Sequence, residues 1–250
     1  MIVDTFMFYN EFDVLEIRLN TLAPYVDLFV LVEAEVNHVG GPKELFFENN
    51  KERFSKWLPK IKHIVVSKDE SPTDKSPWSR EKYQRECILR GLDGIPSDAI
   101  VMISDVDEIP DMSMFKWEHL PHRVISLHMW MYMYNFNFLF TGEPWIGTVV
   151  TTAELVKLHG VNFFRDRRWQ FPTMKYAGWH LSSFGDEKHV LNKMKTFAHA
   201  LDDNNHKHLQ TEENIKKWIQ EGKHVDGATD LMPRPPEATL PPVNCSKFLL

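Results

Sequence analysis

The chain runs to 250 residues, 43% hydrophobic and 26% charged, the proportions of a soluble globular protein able to bury a large core as one domain. Its net charge of −6, with no basic block, argues against a phosphate backbone as the main ligand, so no nucleic-acid partner is expected. No apolar run approaches the roughly 18 residues of a membrane span. The chain enters a strand-like stretch at once, and Cys87 and Cys245 are too few for a disulfide framework, which together point to the cytoplasm.

Residues 2–8 read as a first strand, and Asn10 offers the N-cap of a helix with Phe12, Leu15, Leu19 and Leu22 at helical spacing. Leu28-Phe29-Val30-Leu31-Val32 is a second, buried strand that ends at Glu33. Gly40-Gly41-Pro42 marks a loop with Lys43 just beyond it. Phe54, Trp57 and Leu58 suggest a short helix, and residues 61–66 a third strand. Pro77 then sits in the first turn of a helix that continues to about Leu92 and carries Arg85 and Cys87, the latter read as a buried thiol. Strands alternating with helices imply a parallel sheet with right-handed crossovers and helices on both faces.

The fourth strand, Ala99-Ile100-Val101-Met102-Ile103, is apolar on both faces and leads into Ser104-Asp105-Val106-Asp107-Glu108-Ile109-Pro110, where Pro110 should stop further pairing. In extended chain, residues i and i+2 point to the same side, so Asp105 and Asp107 can face one point at the strand's carboxyl end. Open α/β sheets bind ligands at that end. Two carboxylates so close repel each other unless a cation stands near, and all-oxygen ligation suits Mg²⁺ or Mn²⁺. A solvated acidic turn would show the same spacing.

Beyond Pro110 the character changes. Residues 124–140 are apolar and aromatic on both faces, with Trp130, Tyr132, Tyr134, Phe136 and Phe138 on one parity, as expected of partly antiparallel strands. Most of these rings read as core; one or two at the mouth of a site would suit stacking on a sugar. A short helix is expected at 154–158. Arg165, Arg167 and Arg168 form a tight cluster, either a solvated face or a clamp for phosphate or acceptor oxygens. Gly178 permits close backbone approach before Trp179-His180. Val190, Leu191, Met194, Phe197, Ala198 and Leu201 make an amphipathic helix with Asp186 and Glu187 at its start. A last helix is capped at Thr211 and ends at Gly222.

The division suggests a nucleotide-binding half, 1–110, and an acceptor half, 111–250. A metal held by Asp105 and Asp107 would neutralise a departing nucleoside diphosphate. Several stretches resemble glycosyltransferase family 17, the family of the bisecting β-1,4-mannosyl-glycoprotein N-acetylglucosaminyltransferase. They are Asp4-Thr5-Phe6-Met7-Phe8-Tyr9-Asn10-Glu11 with Leu15-Glu16-Ile17-Arg18-Leu19, Val30-Leu31-Val32-Glu33-Ala34, the Asp105–Pro110 run, Ala177-Gly178-Trp179-His180, and the segment 218–227. The resemblance implies a GT-A type α/β fold, a UDP-sugar donor (UDP-N-acetylglucosamine), a divalent cation (Mn²⁺ or Mg²⁺), a glycan acceptor and inversion at the anomeric carbon. It raises His180 to a metal or diphosphate contact, with His199 second to it, and Thr5 falls within its first motif and joins the expected donor contacts. Animal members carry a membrane anchor and stem; without them a bacterial or viral type of relative, acting on another glycan, is expected.

Inversion in one step needs a base for the acceptor hydroxyl, and a carboxylate is the usual choice. Asp186, Glu187 and, in the loop after the aromatic strands, Glu143 are the candidates. Glu33, Lys43, Arg85, Arg165 and Arg168 are candidate donor contacts. The rivals are a binding protein of the same fold without turnover and a Mg²⁺-dependent phosphatase that uses the first aspartate as nucleophile.

Overall fold

The computed structural model describes residues 1–74, 76–114, 123–198, 209–243 and 245–246. β1 (Ile2–Met7) leads through α1 (Phe12–Leu22) to β2 (Leu28–Ala34), and the short α2 (Phe46–Asn49) precedes β3 (Ile61–Val66). α3 (Pro77–Glu86) and α4 (Ile88–Gly91) come before β4 (Ile100–Asp105), and β5 (Glu108–Pro110) follows at once. β6 (Ile125–Met133), β7 (Phe138–Leu139) and β8 (Trp145–Thr152) come next, then α5 (Ala153–His159) and α6 (Val161–Asp166). β9 (Thr173–Met174), β10 (Gly178–Ser182), α7 (Glu187–Thr196), α8 (Glu212–Glu221) and β11 (Met232–Pro233) complete the order.

β3, β2, β1 and β4 lie side by side and parallel, with β1 and β2 inside. β8 joins β4 antiparallel and β6 joins β8 antiparallel, while β10 runs parallel to β6 and antiparallel to β5. This is the expected α/β architecture, a mostly parallel sheet with a partly antiparallel second half. Its strands bury both faces because both are covered. Phe29 and Leu31 of β2 join Leu15, Leu19 and Leu22 of α1 on one side; Val30 and Val32 join Ile88, Leu92 and Phe164 on the other.

Several local expectations change. Asn10 does not cap α1: Glu11 takes the N-cap position, and its Oε2 turns back to accept the amides of Tyr9 (3.1 Å) and Asn10 (3.0 Å). The helix expected over 77–92 steps at Cys87, and α4 then lays Gly91 against Val30, where a Cβ would stand 2.1 Å from Val30 Cγ1. Pro110 does not stop pairing; it ends β5 opposite Gly178, at a strand end where a missing N–H is tolerated. The aromatic alternation breaks at Tyr134, whose φ of 64° turns the chain out of β6. α8 runs as expected from Thr211, whose side chain accepts the Asn214 amide, to Gly222 at φ 64°. Leu201 and His199 lie outside the described residues.

The deepest polar contact in the fold starts from α1. Arg18 and Asp4 are both fully buried. Arg18 donates Nε to Asp4 Oδ2 (2.8 Å) and Nη2 to Asp4 Oδ1 (2.5 Å), a fork matched to a carboxylate. Its Nη1 faces the carbonyls of Asp105 (3.1 Å), Val106 (3.2 Å) and Glu108 (2.6 Å). The turn after β4 is thereby tied to β1. Arg18→Met would strand a buried carboxylate and release these carbonyls, and urea unfolding should show a loss of about 3–5 kcal/mol. Arg18→Lys should recover only part, because an ammonium cannot span both sets of acceptors. A loss below about 1 kcal/mol, the size of a surface pair, would show the contact to be dispensable.

Candidate active site

β1, β2 and β4 end at one cleft of about 360 Å³, lined from the first half by Tyr9, Glu11, His38, Lys43 and Arg85 and from the second by Trp145, Arg165, Arg168, His180 and Lys193. This is the carboxyl end of the parallel strands, where open α/β sheets take ligands. Asp105 is the last residue of β4, Val106 turns inward, and Asp107 follows; both aspartates line the cleft.

The acids there are paired with basic side chains, and Asp105 and Glu108 share Arg165. Asp105 Oδ2 accepts from Arg165 Nη2 (2.5 Å) and its Oδ1 from Arg85 Nη2 (3.3 Å). Asp107 Oδ2 accepts from Lys193 Nζ (2.8 Å), and His180 Nε2 stands 3.5 Å from the same oxygen. Glu108, fully buried, takes Arg165 on both oxygens (2.7 and 2.6 Å), the indole N–H of Trp145 (2.9 Å) and the amide of Asp105 (3.0 Å). Trp145 in turn stacks on His180 with ring centroids 4.3 Å apart. Burial pushes the Asp105 carboxyl up, but Arg165 and Arg85 outweigh it and bring it to about 2. Burial acts the same way on Asp107, and Lys193 and His180 hold it well below the usual carboxylate range. Both acids are ionised at neutral pH.

Residues 1–235 match the family model of glycosyltransferase family 17. The chain belongs to glycosyltransferase family 17. No curated protein sequence matches it significantly. Among solved structures it is similar to HddC from Yersinia pseudotuberculosis, at 10% identity over 72% of this chain and 92% of that one, with a TM-score of 0.44. It is similar also to the inositol-1-phosphate CTP transferase from T. maritima, at 12% identity over 78% and 96% and a TM-score of 0.42. The galactosyltransferase LgtC, in complex with donor and acceptor sugar analogues, shows 9% identity over 75% and 74% and a TM-score of 0.37.

The family implies a nucleotide-sugar donor and, often, a divalent metal. Two ionised carboxylates and an imidazole have the right chemistry for Mn²⁺ or Mg²⁺. His180 Nδ1 is buried with no hydrogen-bond partner among the described residues, a ring atom still free to engage. The set is not a ready cage, since among the described residues no three acidic, histidine or cysteine side chains are gathered closely enough for one. The residues therefore fit a cation chemically, with Lys193 standing at the oxygen where His180 and Asp107 converge.

Of the residues singled out in the sequence, the fold brings Asp105, Asp107, His180, Lys43, Arg85, Arg165 and Arg168 to the cleft of this family 17 chain. Arg165 is spent on Glu108, Asp105 and the Gly147 carbonyl (3.0 Å), so it orders the site's acids and is not an open phosphate clamp. Arg168 donates Nε to the Ile146 carbonyl (2.8 Å) and Nη1 to the Arg165 carbonyl (2.9 Å), and no carboxylate pairs with it among the described residues. Arg167 is exposed beside Phe163. Thr5 and Glu33 do not line the cleft. Thr5 donates to the Met102 carbonyl inside the sheet (2.8 Å), and Glu33 accepts the amide of Phe47 (2.9 Å) and faces His63 (3.2 Å) and Lys43 (3.7 Å). Asp186 caps α7 by accepting the His189 amide (2.9 Å); neither it nor Glu187 lines the cleft, and Glu143 sits on an exposed turn.

Sequence reasoning missed Glu108 as an organising acid and Lys193, Trp145 and Glu11 as cleft residues. Glu108 directly after Asp107 was the available signal; nothing local marks Lys193. Glu108→Gln should lose roughly 1.5–3 kcal/mol in urea unfolding, the scale of hydrogen bonds to charged groups. Trp145→Phe, which drops one bond and keeps a ring over His180, should lose about 1 kcal/mol.

Proposed function

We propose that this glycosyltransferase moves N-acetylglucosamine from UDP-N-acetylglucosamine to a hydroxyl of a glycan acceptor, with inversion at the anomeric carbon. The observation that carries the reading is the pair of ionised aspartates at the carboxyl end of the parallel sheet, in a cleft that also presents cationic donors. The first half, 1–110, supplies the strand ends that receive the nucleotide, and the second, 111–250, supplies the acceptor side.

Asp105, Asp107 and His180 are the residues that would hold Mn²⁺ or Mg²⁺, which when bound neutralises charge developing on the diphosphate leaving group. The chain's own groups do the rest. Among the described residues Arg168 brings a guanidinium bonded only to carbonyls, and Arg85 Nε is buried with no hydrogen-bond partner. Both suit diphosphate oxygens, and being preset they need no reorganisation as charge builds. Glu108 and Arg18 keep the two aspartates in place.

The base is a carboxylate that must reach the acceptor oxygen and not the metal. At about 100° per residue, Asp186 lies seven residues before Lys193 on nearly the same face of α7, whereas Glu187 is turned well away from it. Asp186 is therefore the first choice, ahead of Glu187 and of Glu143 on its exposed turn. Glu11, which lines the cleft directly, is the second choice. The phosphatase reading puts its nucleophilic aspartate after the first strand of the domain, and here three strands precede β4.

The decisive assay is UDP release from UDP-N-acetylglucosamine, UDP-glucose and UDP-galactose with an oligosaccharide acceptor, beside calorimetry of UDP with and without EDTA. Transfer should be fastest with the N-acetylated donor, and UDP should bind measurably only with Mn²⁺ or Mg²⁺. Equal UDP affinity with EDTA would remove the metal, and binding without turnover would leave a binding protein. Asp107→Asn should lower transfer by roughly two orders of magnitude or more. Because Asp107 is buried and paired, the same change should also cost about 1–3 kcal/mol of stability.

Asp186→Ala should cut turnover by roughly 10²–10⁴-fold while UDP affinity stays near wild type. If Asp186→Ala and Glu187→Ala both transfer normally and Glu11→Ala does not, the base is Glu11.

A further inference from the structure

The cations around the two aspartates are not equivalent. Arg165 is almost fully buried and shared among Glu108, Asp105 and the Gly147 carbonyl, so moving it would strand Glu108. Arg85 is likewise buried and shared between Glu81 and Asp105. Lys193 is different. It reaches in from α7 on a flexible four-carbon stem, its side chain is 25% exposed, and Asp107 is its one hydrogen-bonded partner among the described residues. Its ammonium stands 2.8 Å from Asp107 Oδ2, the oxygen that His180 Nε2 also approaches.

We propose that Lys193 is a resident counter-ion at Asp107 and sets the site's affinity for a divalent cation by competing with it. The inference rests on the reading of Asp105, Asp107 and His180 as metal ligands. A cation that is to use Asp107 Oδ2 with His180 meets a positive charge already at that oxygen. The two arginines cannot yield without breaking the Glu108 and Glu81 pairs, whereas Lys193 leaves by rotating its own side chain. Withdrawn from Asp107, the ammonium remains beside the cleft that it lines, so the displaced charge stays with the site. Removing that charge while keeping the length and helix propensity of the side chain should therefore strengthen metal binding, the reverse of what loss of a ligand or a structural prop would do.

The test is Mn²⁺ binding to the full chain without nucleotide, followed by the electron paramagnetic resonance signal of free Mn²⁺ at low salt. Wild type is compared with Lys193→Met, Lys193→Gln, Lys193→Arg and Asp107→Asn, each first shown to unfold cooperatively. Both neutral variants should bind Mn²⁺ at least roughly tenfold more tightly than wild type, equivalent to about 1.4 kcal/mol. Lys193→Arg should bind no more tightly than wild type, and Asp107→Asn should lose binding. If the neutral variants bind no more tightly while Asp107→Asn abolishes binding, the counter-ion role is overturned and the metal site stands. If Mn²⁺ binding survives Asp107→Asn unchanged, or no variant binds Mn²⁺, the ligand reading itself fails and the proposal with it.

Discussion

The structure depends on a buried arginine that joins a helix, a central strand and the turn that carries the site's acids. Arg18 has no contact with water, and Asp4 balances its charge from β1. Such a pair stabilises only if its remaining hydrogen-bond capacity is filled, and the carbonyls of Asp105, Val106 and Glu108 do so. Those carbonyls lie where the chain leaves β4 and cannot all be served by a sheet ladder. With the carbonyls drawn toward Arg18, the side chains of Asp105 and Asp107 are left to the cleft. Phe6 lies under the guanidinium at 4.5 Å, closing the other face to solvent.

Around that anchor the cleft is built in two grades of rigidity. The Asp105–Arg165–Glu108 group is cross-braced, each member holding at least two others through hydrogen bonds or Trp145. The Asp107–Lys193–His180 group is held more lightly, with one close bond and a stacked indole behind the imidazole. A transferase needs both grades: fixed dipoles where charge develops, and exchangeable groups where a charged donor must enter and leave.

The sequence made some of this legible. A buried apolar strand followed by Asp105 and Asp107 placed the cleft, and the alternation of strands and helices placed the parallel half. Gly178 was marked for close approach; a Cβ there would stand 2.4 Å from the Ile109 carbonyl. Hydrophobic period reports which face is buried, however, and not which distant polar partner waits there. Arg18 falls outside the Phe12, Leu15, Leu19 and Leu22 stripe of its helix, and its partners lie 14 and up to 90 residues away. Arg165 could be read as part of a solvated face or of a clamp because its buried acid, Glu108, is 57 residues distant. Thr5 and Glu33 sat in motif stretches but serve the sheet and α2. Where an element was closed by its own local groups, as from Thr211 to Gly222, the reading held.

The position of β1 also bears on how the chain reaches its native state. β1 lies between β2 and β4, and its second neighbour follows it by about a hundred residues, so the two leave the ribosome well apart in time. Until β4 emerges Asp4 and Arg18 can meet each other but not the carbonyls that complete their shell, and the edge of β1 stays open. Pairing with β4 adds a second row of hydrogen bonds to β1 and delivers the Asp105 turn to Arg18. With so distant a closure, folding should belong to the slow class of high contact order. The pairing that seats β4 is also what brings Asp105 to the strand end beside the turn that Arg18 holds.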